Sequence, residues 1–192
     1  MELGYTFPLQ RFLRLRALPY GREENRLFCW DAHRIALREK DSLLLVNAHN
    51  RFCVVLYDLA PEQWKRLPAL ALHALHTALL DANLPRAEVL RYLAMAGAVA
   101  CTRTHGRREV AYLNRAWEDV MACEMLVDTS AMDQPLLCQA VNARLCRAAG
   151  HARVRSSCAR MQSDLAGLCR TEEAQTHQET AHTRKAGGQE CE

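Results

Sequence analysis

Two short apolar runs with four polar residues between them constrain this 192-residue chain more than any other feature of its sequence. The runs occupy residues 43–46 and 51–57, and the loop between them reads Asn-Ala-His-Asn. A polar loop of this length between two β-type runs is typical of a chain that reverses direction. The pattern therefore predicts an antiparallel hairpin, within a β-like region that extends from Cys29 to Tyr57.

Helix signals follow the hairpin in a regular order. Proline at the first turn and an Ala- and Leu-rich run predict a helix over 61–82 that is broken near Pro68. Pro85 starts a second helix, which is expected to end at Gly97. A buried strand is then predicted over 98–102, followed by a turn at Gly106 and an amphipathic helix. One more helix is expected to end near Gly150.

This order of elements predicts an α+β fold with a small antiparallel sheet, helices packed on one face and a mostly helical C-terminal part. Residues 1–150 are expected to form a single domain, and residues 151–170 a helical extension. Residues 171–192 contain no large apolar side chain. They have nothing to bury in a core, and we expect a disordered tail.

Composition limits the environment of the protein. No apolar run approaches the roughly 20 residues that span a bilayer, and arginines interrupt the apolar stretches near the start. The nine cysteines are an odd number and are spread singly along the chain. We therefore expect a cytoplasmic protein, without membrane association, whose cysteines are reduced thiols.

Three segments resemble a known family. They are Trp30 with the strand around it, the hairpin over 43–59, and the segment Thr-Arg-Thr-His-Gly-Arg-Arg-Glu-Val-Ala-Tyr-Leu-Asn over 102–114. Together they resemble a bacterial family of domains of unknown function, numbered 6933, over about residues 28–122 and extending toward Gly150.

The resemblance implies particular residues rather than an activity. The positions that match the family pattern are Asn47, Thr102, Thr104, Arg107 and Asn114. The chain departs from the pattern at two positions, with Gly106 where an asparagine is expected and Arg108 where serine is common. Because the family has no assigned chemistry, the resemblance supports the fold and supplies no mechanism.

The junction between the last predicted strand and its helix holds the first candidate site, formed by Thr104, His105, Arg107 and Asn114. Arg107 and Asn114 lie seven residues apart, so they share one side of a helix. One interpretation is an anion site at the helix N-terminus, with His105 as an acid or base. The interpretation we favour is structural, with Arg107 and Asn114 bonded to strand ends.

Metal-ligating residues form no recognisable motif. His73 and His76 lie three apart on a predicted helix, but the sequence shows no third ligand nearby. A second possible zinc set lacks the short cysteine spacing that makes such sites recognisable. It consists of Cys138, Cys146, His151 and Cys158. We therefore predict no metal and no cofactor.

A basic segment follows in the C-terminal part. Five arginines occur without any acidic residue between positions 134 and 163: Arg144, Arg147, Arg153, Arg155 and Arg160. A nucleic acid, an acidic protein partner or no specific partner would each fit such a patch. Since no catalytic pair, metal set or phosphate loop is evident, we expect a non-enzymatic binding or interaction module. The alternative is a protein that binds or processes nucleic acid through this segment and residues 103–108.

Overall fold

A computed structural model describes residues 1–168 and Arg170. The predicted tail over 171–192 lies outside the described residues. None of the helices in the described part is both long enough and apolar enough to cross a bilayer.

Five strands form one sheet in the order β4-β3-β2-β1-β5. Their bounds are Glu2–Tyr5 for β1, Cys29–Leu37 for β2, Lys40–Asn47 for β3, Cys53–Leu56 for β4 and Ala100–Arg103 for β5. A separate two-stranded hairpin pairs β6 (Leu145–Cys146) with β7 (Arg155–Ser156).

Seven α-helices accompany the sheet in the described part of the chain. They are α1 (Phe7–Phe12), α2 (Pro61–Lys65), α3 (Leu67–Asp81), α4 (Arg86–Ala96), α5 (Arg107–Ala122), α6 (Pro135–Ala143) and α7 (157–168). The predicted break near Pro68 is confirmed, because α2 ends at Lys65 and α3 begins at Leu67. The stop at Gly97 is also confirmed, since this residue caps α4 with a positive φ of 60° that glycine tolerates.

The predicted α+β class and the β3–β4 hairpin are confirmed, but the sheet is mixed rather than antiparallel. β1 lies between β2 and β5 and runs parallel to both, whereas β3 runs antiparallel to both β2 and β4. The sequence analysis did not identify β1. The position of β1 makes the sheet mixed. Residues 6–28 connect β1 to β2 and residues 6–99 separate β1 from β5, and parallel strands need long connections of this kind.

Helices cover both faces of the sheet, which corrects the prediction that they pack on one. Alternate residues of β3 enter different cores: Leu43 and Leu45 pack in the first, and Leu44 and Val46 in the second. The first core also takes buried side chains from α1, α2, α3, α4 and α7, and the second takes them from α5 and α6. The central strands are buried on both sides, so one helical layer could not cover them.

Asn47 organises the hairpin loop between β3 and β4. Its side-chain Nδ2 donates to the Leu27 carbonyl at 2.9 Å, while its Oδ1 accepts the backbone N–H groups of His49 and Asn50. The side chain is fully buried. It therefore replaces the backbone partners that a tight turn leaves unsatisfied, as asparagine often does in turns.

Candidate functional site

A polar strip crosses β1 and β2 on the face that α5 covers. Glu2 pairs in register with Cys29, and Gly4 with Asp31. Side chains two residues apart on a strand point to the same face, so these four positions lie together. The strip lies beside the turn that leads from β5 into α5.

His105, in that turn, closes over the strip. Its Nδ1 lies 2.8 Å from the Asp31 Oδ1, which also accepts the His105 backbone N–H at 3.2 Å. Its Nε2 lies 3.3 Å from the Glu2 Oε2. The side chains of His105 and Asp31 are each 1% exposed. The junction is thus held by one imidazole between two carboxylates.

The surroundings of His105 favour its protonated form. Burial by itself would lower the pKa of His105, but hydrogen bonds to Asp31 and Cys29 and the charge of Asp31 raise it to about 10. Burial raises the pKa of Asp31 against the effect of His105. The pKa of Glu2 is lowered, because the backbone N–H groups of Arg22 and Glu23 outweigh its burial. With two carboxylates beside it, His105 is the group that we assign the proton.

Gly4 is needed where the two side chains meet. A Cβ atom at this position would lie 2.1 Å from the Asp31 Oδ1 and 2.9 Å from the His105 Nδ1. It would also lie 3.0 Å from the backbone carbonyl of Arg103. The absence of a side chain on β1 is therefore what allows His105 to reach β2.

The residue types in this cluster are those that bind metals, but their contacts are those of an ion-pair network. The ligand atoms of Glu2, Cys29 and His105 lie within 4.8 Å of one another. Both imidazole nitrogens of His105 face carboxylates, however, at 2.8 Å and 3.3 Å, as in an ion-pair network. Because His105 and Asp31 are almost fully buried, a substrate cannot reach them without opening the junction. We interpret the cluster as structural.

The residues that hold the junction together in the structure differ from those that the sequence predicted. Arg107 and Asn114 are both exposed, and neither side chain makes a hydrogen bond to a strand end within the described residues. His105 holds the junction instead, through its hydrogen bond to Asp31 of β2. We call this contact of the turn after β5 with Glu2 and Asp31 the seam. The sequence analysis did not identify this carboxylate as a partner of His105, because Asp31 lies 74 residues earlier.

Thr104 and Asn114 face a small pocket beside the seam. The pocket has a volume of about 290 Å³ and is lined by uncharged residues from β2, α5 and the segments after β1 and β5. Inside it, the Thr6 hydroxyl lies 2.8 Å from the His33 Nδ1. Burial and the neighbouring Arg34 lower the pKa of His33. Arg107 does not line this pocket, so the pocket lacks the positive charge on which the predicted anion site depends.

The pocket and the seam lie where the family pattern falls in the sequence. The model of one protein family, described as Domain of unknown function (DUF6933), matches residues 3–157. The chain belongs to this family. The match includes the strands β2 to β5, all of β1 except Glu2, the contact between His105 and Asp31, and the pocket. No curated protein and no solved structure matches the chain.

The basic segment of this family member is less basic at its surface than its sequence indicates. Arg160 is 1% exposed, and its guanidinium donates to the sulfur and the carbonyl of Cys146. Arg144 pairs with Asp119 at 2.9 Å. Only Arg147, Arg153 and Arg155 are exposed with no guanidinium partner among the described residues.

The cysteine-rich zinc set is not assembled. Cys138 is buried and its sulfur accepts the Val55 N–H at 3.2 Å, while Cys146 contacts Arg160. His151 lies against His49, with ring centroids 4.9 Å apart, rather than against the cysteines. His73 and His76 gain no third ligand within the described residues. The seven cysteines in that part are free.

A large apolar groove lies on the face of the sheet that packs against the first core. It has a volume of about 1230 Å³ and runs between the end of α1 with the following loop and the helices α2 and α3. We call it the α1–α2 groove. Its apolar lining consists of Tyr5, Phe12, Leu13, Leu15, Leu18, Leu59, Pro61, Trp64, Leu67, Pro68 and Cys101. The sequence analysis did not identify it, because its walls come from segments far apart in the chain.

Proposed function

We propose that this protein is a non-enzymatic interaction module that binds an extended apolar segment of a partner protein in the α1–α2 groove. The observation that supports this proposal is an open, mainly apolar groove whose lining includes the exposed side chains of Phe12 and Leu15. Concave, mainly apolar surfaces of this kind are typical of binding sites. The proposal keeps the expected cytoplasmic location, in which the cysteines stay reduced.

The size of the groove favours a protein segment over a small molecule. Its volume of about 1230 Å³ exceeds the roughly 300–1000 Å³ of small-molecule sites. The chain's own residues 171–192 offer no large apolar side chain to fill it. Its charged residues carry both signs, with Arg14 and Lys65 against Glu39 and Asp58, so the apolar surface supplies most of the attraction.

The walls of the groove are already fixed by contacts of their own. The rings of Phe12 and Trp64 meet edge to face with centroids 5.1 Å apart. The Arg34 guanidinium lies 4.4 Å from the Phe12 ring centroid and pairs with Asp41. Trp64 is anchored from below by its Nε1–H bond to the Leu59 carbonyl. A surface ordered before binding costs less entropy to occupy.

Selection from a random peptide library tests this proposal on the full chain. We expect enrichment of peptides with several large apolar residues, and loss of their binding in Leu15→Glu, which places a charge in the groove. Leu90→Glu is the matched control, because Leu90 is exposed on α4 and does not line the groove. A failure to enrich such peptides, or equal binding by Leu15→Glu, would contradict the proposal.

A second copy of the chain is the competing occupant. Light scattering during size-exclusion chromatography separates the two cases. A monomer supports a foreign partner, whereas a dimer that Leu15→Glu dissociates and Leu90→Glu does not would show that the groove binds the chain itself.

Nucleic-acid binding is the alternative proposal. It rests on Arg147, Arg153 and Arg155, the exposed arginines that keep their charge unpaired among the described residues. Phosphate contacts weaken steeply with salt, so binding to random duplex and single strands at low ionic strength is the test. If the triple variant with alanine at these positions binds as the unmodified chain does, the alternative is excluded.

A further inference from the structure

Two histidines and an aspartate from three separate segments meet at one end of the molecule. His49 lies in the loop between β3 and β4, His151 in the loop between β6 and β7, and Asp164 on α7. Their ligand atoms all lie within 4.8 Å of one another. These residues lie outside the α1–α2 groove and take no part in the seam at His105.

The group lacks the hydrogen bonds that would explain it as ordinary packing. The two imidazole rings lie 4.9 Å apart at a tilt of 58°. The Nε2 atom of His151 is buried and has no hydrogen-bond partner in the described part of the chain. Buried side-chain nitrogens are nearly always bonded, so an unbonded one beside a second imidazole and a carboxylate requires an explanation.

Asp164 is oriented from behind by a buried residue. The Asn50 Nδ2 donates to the Asp164 Oδ2 at 2.9 Å, which leaves Oδ1 directed to His49 Nε2 at 3.8 Å. Asn50 is itself fixed, because it is fully buried and its Oδ1 accepts the Phe52 N–H. A second residue that holds a ligating carboxylate in place is a regular feature of metal sites.

We propose that His49, His151 and Asp164 bind a divalent transition-metal ion, with zinc as the expected ion. Two imidazoles and one carboxylate suit zinc, and three protein ligands leave a fourth position open. Tetrahedral zinc with bonds of about 2.0–2.2 Å places two ligand atoms about 3.3–3.6 Å apart, so ligand atoms that lie within 4.8 Å of one another need to close by up to about 1.5 Å. His49 is 37% exposed, which gives the ion a path from solvent.

The site would fasten three segments that belong to different elements of the fold. An ion bound there joins the hairpin loop of the main sheet to the small β6–β7 hairpin and to α7. Because the ion binds the folded chain and not the unfolded chain, its binding adds to stability. The sequence analysis included His151 in a zinc set, but with the cysteines as partners; the structure supplies His49 and Asp164 instead.

Cobalt(II) is the probe that tests the site, because its spectrum distinguishes nitrogen and oxygen ligands from thiolates. The full chain is treated with a chelator, kept reduced with a phosphine and titrated with CoCl₂. We expect one equivalent to bind without a thiolate charge-transfer band. His49→Ala is expected to weaken binding at least about ten-fold, and His73→Ala, a histidine on α3 outside the cluster, to leave it unchanged.

Zinc-dependent stability provides the second measurement. ZnCl₂ is expected to raise the Tm of the unmodified chain and of His73→Ala, but not that of His49→Ala. Circular dichroism shows whether His49→Ala is folded, and its exposed position makes this the expected result. A thiolate band, equal affinity in His49→Ala, or the absence of binding would each overturn the proposal.

Discussion

The Nδ1 atom of His105 lies 2.8 Å from the Oδ1 atom of Asp31, and the two side chains meet above Gly4. The contact joins the turn after β5 to β2 across the intervening strand β1. It therefore connects three strands through side chains as well as through the backbone.

Asp31→Ala is expected to lower the free energy of unfolding by about 3–5 kcal/mol, because it leaves a buried imidazolium without its main partner. Urea denaturation measures the loss. Glu118→Ala is the control, since it removes an exposed ion pair with Arg115 and should cost under about 1 kcal/mol. Equal effects of the two changes would show that the buried pair contributes little.

The stability of the protein is expected to fall as the pH rises from about 6.5 toward 10. The pKa of His105 is raised to about 10 in the folded state, chiefly by Asp31 and against the effect of burial. In this window the folded chain holds a proton that the unfolded chain has released. Stability thus decreases with pH, by at most about 1.4 kcal/mol per pH unit.

Urea denaturation at several pH values from 6.5 to 9 measures this slope. His105→Gln, which keeps a polar side chain but cannot titrate, should flatten it. A slope that is unchanged in His105→Gln would assign the pH dependence to other groups.

Gly4→Ala is expected to destabilise the fold by about 3 kcal/mol, because the added methyl group would overlap the Asp31 carboxylate. Gly167→Ala provides a matched comparison on α7, where an added Cβ meets no atom within 4 Å. In a helix, that change should stabilise by about 0.5–1 kcal/mol. Thermal unfolding of both variants gives the sign and size of each effect.

Tyr92→Phe removes a hydroxyl that serves two buried groups. The hydroxyl accepts the Trp30 Nε1–H and donates to the Leu27 carbonyl, both at 2.8 Å. The Leu27 carbonyl keeps its hydrogen bond from the Asn47 Nδ2, but the buried Trp30 Nε1–H is left unsatisfied, which should cost about 1–3 kcal/mol. Tyr20→Phe is the control, because Tyr20 is exposed, and a loss of stability of similar size there would argue against this reason.

Arg160→Ala is expected to act on stability rather than on binding. Its guanidinium is buried against Cys146, so truncation should cost about 1.5–3 kcal/mol. Arg153→Ala, at an exposed position, should leave the Tm nearly unchanged. If Arg160→Ala melts as Arg153→Ala does, then Arg160 is not the structural residue that its contacts indicate.

Local patterns predicted most of the elements. The hairpin, the break near Pro68 and the stop at Gly97 each depend on a few neighbouring residues, and all three are present. β1 was not predicted, because four residues are too short to show a period. Its burial comes from β2 and β5, which lie far along the chain. Without β1, neither the mixed sheet nor its second helical layer could be anticipated.

The contacts of the candidate site could not be predicted from the sequence. The segment over 102–114 does hold the seam and part of the pocket, yet the partner of His105 is 74 residues away. Counting arginines also overstated the basic surface, since the sequence does not show that Arg160 is buried. Both errors concern pairings between distant residues, which neither spacing nor composition records.

The position of β1 between β2 and β5 has a consequence for how the chain acquires its fold. Glu2 pairs with Ala100, so β1 stays without one neighbouring strand during synthesis until residue 103 has been made. Local elements such as the β3–β4 hairpin and α3 can form earlier. Closing this long loop makes folding slow compared with that of helical proteins of the same size. A nascent chain stopped before β5 would expose one edge of β1, where a chaperone or another unfinished chain can bind.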